Sequence, residues 1–267
     1  MVRVDIALVE RGLARSRNQA AALVDAGRVL IAGRPARKAS QDVLDEASLK
    51  VLEAVDYVSR AGHKLAAALN QFGELELTGK TALDVGASTG GFTDVLLRRG
   101  VSKVVAIDVG HGQMVPDLAE NSRVTSIEGF NARELSPETL ASAIGEVPSF
   151  DLVVADLSFI SLTLVLAPMV SVAPNADYVL LVKPQFEVGM KSLTAKGIVS
   201  DHRLRAESVL NVMDVANKLG LGVRDVVRSE LPGTHGNIEY VLWMSAASQS
   251  YPSEWTERVQ ELAREGR

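Results

Sequence analysis

The sequence predicts an α/β protein: a doubly wound, largely parallel sheet of seven strands behind a small α+β module. Three observations predict it. Apolar strand-like runs alternate with helix-patterned segments through the last two hundred or so residues, the alternation that builds a parallel sheet. The run Ala82-Leu83-Asp84-Val85 breaks into Gly86-Ala87-Ser88-Thr89-Gly90-Gly91 and restarts with helical spacing at Phe92, which reads as strand, tight turn and helix. The first 40 residues carry eight Arg and Lys against three acids, a charge of +5, while the rest of the chain carries −10.

Length and composition bound the rest. The chain has 267 residues, 47% of them hydrophobic, enough for two modest domains with a sizeable core. With no cysteine, disulfides, thiolate nucleophiles and cysteine metal sites are excluded. The histidines at 63, 111, 202 and 235 show no ligand spacing, so no metal is expected. No apolar run spans a bilayer and Met1-Val2-Arg3-Val4-Asp5 is not a signal peptide, so a cytoplasmic monomer away from membranes is expected.

The first unit is expected over 1–58. Val4–Arg11 reads as a short helix stopped by Gly12, and Ser16 caps a second helix, Asn18–Val24, ended by Gly27. Strands follow at 28–31 and 49–52, with a turn at 32–35 between them. Arg3, Arg11, Arg15, Arg17, Arg28, Arg34, Arg37 and Lys38 suit phosphate contacts, which anchor a protein on nucleic acid without reading its sequence. The arginine excess favours RNA.

After a joint at 53–58, the second unit is expected over 59–267. Ser59-Arg60-Ala61-Gly62-His63-Lys64 leads into a helix at 65–69, with Arg60 a further candidate for RNA. Strands follow at 82–85, 103–108, 123–128, 150–156 and 177–183, with helices near 92–99, 114–120, after Ser136-Pro137, and at 162–172, the last disturbed by Pro168. A long helix at 201–219 precedes strands 223–228 and 238–244, whose short connection implies an antiparallel edge.

Three readings compete for the glycine turn. A dinucleotide fingerprint needs G-x-G-x-x-G, and Ser88 stands at its middle glycine. A nucleophile elbow fits Gly86-Ala87-Ser88-Thr89-Gly90, with an acid and His235 following in chain order. The third is an S-adenosylmethionine pocket, using Asp84, Gly86, Ala87, Ser88, Gly90 and Gly91. Asp108, followed by Val109, ends the next strand about twenty residues on, the spacing at which an acid reaches ribose hydroxyls. An elbow has no use for Asp108, so the nucleoside reading is favoured, and seven strands with this ending fit a Rossmann-like methyltransferase by analogy.

At the strand tips, Asp156 and Lys183 fall where a substrate would lie. Lys183 could instead let its ammonium escape to water. Cytosine C5 chemistry lacks its cysteine, and Asp156-Leu157-Ser158-Phe159 is not the Asn/Asp-Pro-Pro-aromatic stretch of amine methylation. A ribose 2′-hydroxyl needs a base, and a lysine of lowered pKa can supply it.

Two resemblances sharpen this reading. Arg11-Gly12-Leu13-Ala14-Arg15-Ser16-Arg17, Gly27-Arg28-Val29 and Gly33-Arg34-Pro35 resemble the S-four type of small RNA-binding module over about the first sixty residues. Nearly the whole chain resembles the haemolysin A (TlyA) family of ribosomal RNA 2′-O-methyltransferases, with an FtsJ-like body. The resemblance rests on 58–65, 84–93, Ala155-Asp156-Leu157-Ser158-Phe159-Ile160-Ser161, Val182-Lys183-Pro184-Gln185-Phe186-Glu187 and Gly236-Asn237-Ile238-Glu239-Tyr240. It implies a tetrad of Lys64, Asp156, Lys183 and Glu239 acting on cytidine ribose in ribosomal RNA. S-adenosylmethionine would be held by the glycine turn, Asp108 and Asp156, with Asn131 near the adenine. The joint departs from the family's Arg-Ala-Trp-Val, reading Val55-Asp56-Tyr57-Val58.

Overall fold

The computed structural model describes residues 2–25, 28–36, 38–44, 46–51 and 57–265. Gly27, Arg37, Leu52 and residues 53–56 of the joint lie outside them. The chain divides into two compact units, Met1–Asp56 and Tyr57–Arg267.

In the first unit, β1 (Val2–Arg3) leads into α1 (Val4–Glu10), followed by α2 (Arg17–Asp25), β2 (Val29–Ile31), β3 (Arg34–Pro35), β4 (Asp42–Val43) and β5 (Leu49–Val51). The Ser16 hydroxyl accepts from the Gln19 amide at 3.2 Å, the cap expected for α2. Val4, Ala7 and Leu8 of α1 meet Ala20, Leu23 and Val24 of α2 over Val29 and Val43. β2 is the middle of an antiparallel three-stranded sheet. The pair β1–β4 is too short to leave an alternating pattern in the sequence.

The second unit is a three-layer sandwich. In chain order come α3 (Arg60–Gln71), β6 (Thr81–Val85), α4 (Gly91–Arg98), β7 (Lys103–Ile107), α5 (Pro116–Ala119), β8 (Val124–Ile127), α6 (Pro137–Ile144), β9 (Leu152–Ala155), α7 (Leu166–Val172), β10 (Asp177–Val182), α8 (Pro184–Glu187), α9 (His202–Lys218), β11 (Gly222–Arg228), β12 (Tyr240–Ser245) and α10 (Thr256–Arg264). The sheet order is β11-β12-β10-β9-β6-β7-β8. Its inner strands β6, β9, β10 and β12 are buried on both faces, which gives apolar runs such as Leu152–Ala155, while the edge strands β8 and β11 are partly open. On β6, Leu83 and Val85 join the core under α6, α7, α9 and α10, while Ala82 faces the core under α3, α4 and α5.

The expected antiparallel edge is present as a β11–β12 pair with β11 outermost, and within it β12 lies between β11 and β10, antiparallel to both. Its backbone thereby pairs on both sides, which suits the all-buried pattern Tyr240–Ser245. The helix at 162–172 is broken at Val165 into a 3₁₀ turn and α7; Pro168 sits in the first turn of α7, where its missing N–H costs nothing. Helix α10 was not foreseen; Val259, Leu262 and Ala263 dock it on the core.

The strand order reverses between β6 and β9, which neighbour each other although β7 and β8 lie between them in sequence. At such a switch point two loops diverge from the carboxyl ends of adjacent strands and leave a crevice. The loops are those after Val85 and Ala155.

Candidate active site

The turn after β6 is shaped by close approach. The Asp156 amide donates to the Val85 carbonyl at 3.2 Å, pulling the loop after β9 against Gly86. A Cβ on Gly86 would stand 2.8 Å from Leu157 Cδ2 and 2.9 Å from the Asp156 carbonyl oxygen, so only glycine fits. Gly90 has φ 94° and its missing side chain leaves room for Leu118. The result is a cavity of about 270 Å³ lined by Gly86, Ala87, Ser88, Gly91, Asp156 and Lys183, among others.

The acids expected around the cofactor have different environments. Asp108 accepts from the Ser88 amide at 2.8 Å and the Gly110 amide at 2.7 Å, which ties the end of β7 to the turn. Each of its oxygens keeps a lone pair for a further donor. Asp84 is fully buried beneath the turn. It accepts from the Thr93 hydroxyl at 2.6 Å, while its Oδ1 has no hydrogen-bond partner among the described residues. Burial pushes its carboxyl up to about 7; the Thr93 bond opposes the rise and the Asp156 and Asp108 charges add to it.

Asp84, Gly90, Asp108, Val109 and Asn131 do not line the 270 Å³ cavity. Val109 is 71% exposed. The Asn131 side chain accepts from the Arg133 amide at 3.1 Å and donates to Glu134 at 3.3 Å, capping the turn at 132–134. Ser88 does not behave as an elbow nucleophile: its hydroxyl bonds Gln113 at 2.9 Å, and His235 lines a different cavity.

The four residues of the expected tetrad form two ion pairs, Lys64–Glu239 buried and Lys183–Asp156 partly so. Lys183 Nζ lies 2.6 Å from Asp156 Oδ1 and donates to the Ser158 hydroxyl at 2.9 Å. Lys64 Nζ lies 2.5 Å from Glu239 Oε2. Gln185 joins the second pair, donating to Glu239 Oε1 at 3.2 Å. Gln185, two residues beyond Lys183, and Ser158, two beyond Asp156, touch these pairs, and the sequence reading left both without a role. Both belong to stretches quoted for the resemblance, and their contacts could not be read from spacing.

Glycines again make the room. A Cβ on Gly62 would lie 2.7 Å from Tyr57 Cβ and 2.9 Å from the Gly91 carbonyl oxygen, so α3 can pass close to the start of α4 and carry Lys64 inward. A Cβ on Gly233 would collide with the Glu239 carboxylate. Arg60 lines the smaller cavity and donates to the Pro232 carbonyl at 3.2 Å.

Lys183 and Ser158 line a second, larger cavity of about 900 Å³, together with Phe159, Phe186, Gln185, His235 and Glu239. Phe159 is 91% exposed and holds φ 65°, an uncommon strain for an aromatic residue. Its ring stands 5.2 Å from that of Phe186. Below them Glu187, pushed up by burial, accepts from the Ser161 hydroxyl and from the Leu162 amide at 2.9 Å, anchoring the loop that carries Phe159. Among the described residues no cluster of three His, Asp or Glu could hold a metal ion, and no helix is long and apolar enough to cross a membrane.

The basic residues of the first unit are unequally engaged. Arg3 and Arg17 both bind Asp5. Arg11 donates to the Ala47 carbonyl at 2.5 Å. Arg15 and Lys38 are exposed and Arg28 is half-buried. Arg34 lies on β3.

A family model for FtsJ-like methyltransferases matches residues 57–246, and one for the S4 domain matches residues 2–48. Over 245 residues, 91% of this chain and 89% of the relative, the sequence is 50% identical to a Mycobacterium tuberculosis protein described as 16S/23S rRNA (cytidine-2′-O)-methyltransferase TlyA. It is 38% identical to Hemolysin A of Brachyspira hyodysenteriae, across 90% of this chain and 98% of that one. A solved structure from Streptococcus thermophilus, described under the hemolysin name, matches with TM-score 0.72 at 34% identity, covering 98% of this chain and 94% of that chain.

Proposed function

Because this chain belongs to the FtsJ-like methyltransferase family, we propose that it transfers a methyl group from S-adenosylmethionine to the 2′-hydroxyl of a cytidine in ribosomal RNA. The carrying observation is that Lys183, paired with Asp156, lines both cavities. The smaller cavity is the cofactor side and the larger one the nucleotide side. When bound, the cofactor supplies an activated methyl, so positioning provides much of the rate.

The chain's own residues supply the rest. The glycine turn leaves backbone room for the cofactor, and Asp108 offers it a carboxylate. Asp156 and Ser158 hold the Lys183 side chain from two sides. Lys183 takes the 2′-hydroxyl proton or holds the alkoxide by charge. Lys64 and Glu239 neutralise each other and, with Gln185, form the opposite polar wall. Exposed Phe159 offers a stacking face to a base, a contact typically worth about 1–3 kcal/mol. The first unit supplies the RNA anchor, and its boundary with the catalytic unit falls near residue 58.

Mass spectrometry of rRNA from a strain lacking the endogenous activity tests this. Expressing the chain should add a 2′-O-methylcytidine, and RNA without the mark would overturn the reading. The identity of the labelled subunit follows from the same fragments.

A further inference from the structure

Asp5 is an acid in the most basic part of the chain, and it is buried, at 4% exposure. It belongs to the first turn of α1 and its Oδ1 accepts from the Ile6 amide at 3.1 Å. Two guanidinium groups converge on it. Arg3 binds it bidentately, Nε to Oδ1 and Nη2 to Oδ2, both at 3.0 Å. Arg17, from the start of α2, donates to Oδ2 from Nη2 at 3.0 Å and from Nε at 3.3 Å.

Both arginine side chains stay open to solvent, 44% and 57% exposed against 5% for the acid. Two cations side by side repel, and a shared carboxylate removes that repulsion. Burial raises the Asp5 carboxyl, but the hydrogen bonds and charges of Arg3 and Arg17 outweigh it and hold the group below its usual range. Each guanidinium has five N–H donors and uses two of them here, which leaves three outward on each. A pre-ordered pair of guanidinium forks matches the oxygens of a phosphodiester, and pre-ordering removes the side-chain entropy that exposed arginines otherwise lose on binding.

We propose that Asp5 is a positioning residue for RNA binding: it holds Arg3 and Arg17 together as one phosphate-binding fork. This rests on the reading of the first unit as the RNA anchor. It carries a consequence opposite in sign to bulk electrostatics. Removing a negative charge from a basic surface should tighten binding to a polyanion. Loss of the fork should weaken it instead.

The test uses the full chain and filter binding to purified ribosomal subunits at about 0.1 M salt. Asp5→Asn is expected to weaken binding by about five- to tenfold, on the order of one oriented, charge-assisted contact. Arg3→Ala and Arg17→Ala are expected to weaken it at least as much. In the Arg3→Ala/Arg17→Ala background, Asp5→Asn should cost less than twofold, because nothing is left to orient. Binding by Asp5→Asn that equals or exceeds wild type, with both arginine variants impaired, overturns the fork and leaves the RNA anchor standing. Unchanged binding by the arginine variants overturns both. An equal loss from Asp5→Asn with and without the arginines assigns the effect to folding of α1 and also overturns the fork.

Discussion

In the proposed reaction, Lys183 is the residue on which the chemistry turns. Its Nζ touches Asp156 and Ser158, so its direction is set by two contacts at once. Arginine keeps the charge but cannot give up a proton at physiological pH, and its planar fork does not fit a site shaped for one ammonium. Lys183→Arg should bind cofactor as wild type does and lose methyl transfer by a factor on the order of a hundred or more. Single-turnover transfer of labelled methyl measures this, and full activity in the variant would make Lys183 a fixed cation rather than a base. Asp84 makes a second residue-scale prediction, about pH. Its folded pKa of about 7 lies above the unfolded value of 3.8. The stabilising contribution of the protonated form is therefore complete below pH 3.8 and is lost as pH rises toward 7 and just beyond. Asp84→Asn, which can still accept from Thr93, should flatten the fall in melting temperature between pH 5 and 8. An unchanged slope would place the titration elsewhere.

At the scale of elements, the alternation of strand and helix was legible because each buried strand is a short apolar run and each helix shows one apolar face. The strand ends carrying Asp108, Asp156 and Lys183 were legible for the same reason, a polar residue closing a buried apolar run, whereas Asp84 lies one residue inside β6 and is fully buried. Which tips face one another was not legible. Pairing Lys64 with Glu239 bridges 175 positions, and no local period encodes it. The place of β12 inside the sheet depends on backbone pairing with β10 and β11, which its apolar pattern suits but does not determine. Nor did the sequence expose the close crossing of α3 and α4 at Gly62 and Gly91. That crossing makes Gly62→Ala a test of how Lys64 is delivered. The added methyl has no space, so the variant should lose about 1–3 kcal/mol in urea unfolding and lose methyl transfer as α3 shifts. Gly73→Ala, with nothing within 4 Å of the new methyl, should be nearly neutral in both measurements. Similar losses at both sites would show that packing at Gly62 is not what positions the helix.

At the scale of the whole molecule, charge divides the labour. The first 40 residues hold +5 while the remainder holds −10, so a polyanion is attracted by one part and repelled, on average, by the other. The catalytic unit nonetheless has a core of its own, from Leu65 of α3 to Leu262 of α10, and all four tetrad residues. Burial on that scale is what lets a domain fold independently. A chain beginning at Tyr57 should therefore unfold cooperatively and bind S-adenosylmethionine in calorimetry with an affinity close to that of the full protein. Its affinity for ribosomal subunits should drop, and the salt dependence of what remains should be shallower, by about 0.7–0.9 in log–log slope for each phosphate contact removed. Titrating subunit binding from about 0.05 to 0.2 M salt with both proteins measures the difference. If the truncated chain binds as tightly and with the same slope, the anchoring contacts belong to the catalytic unit, and the basic charge of the first 40 residues serves some other partner.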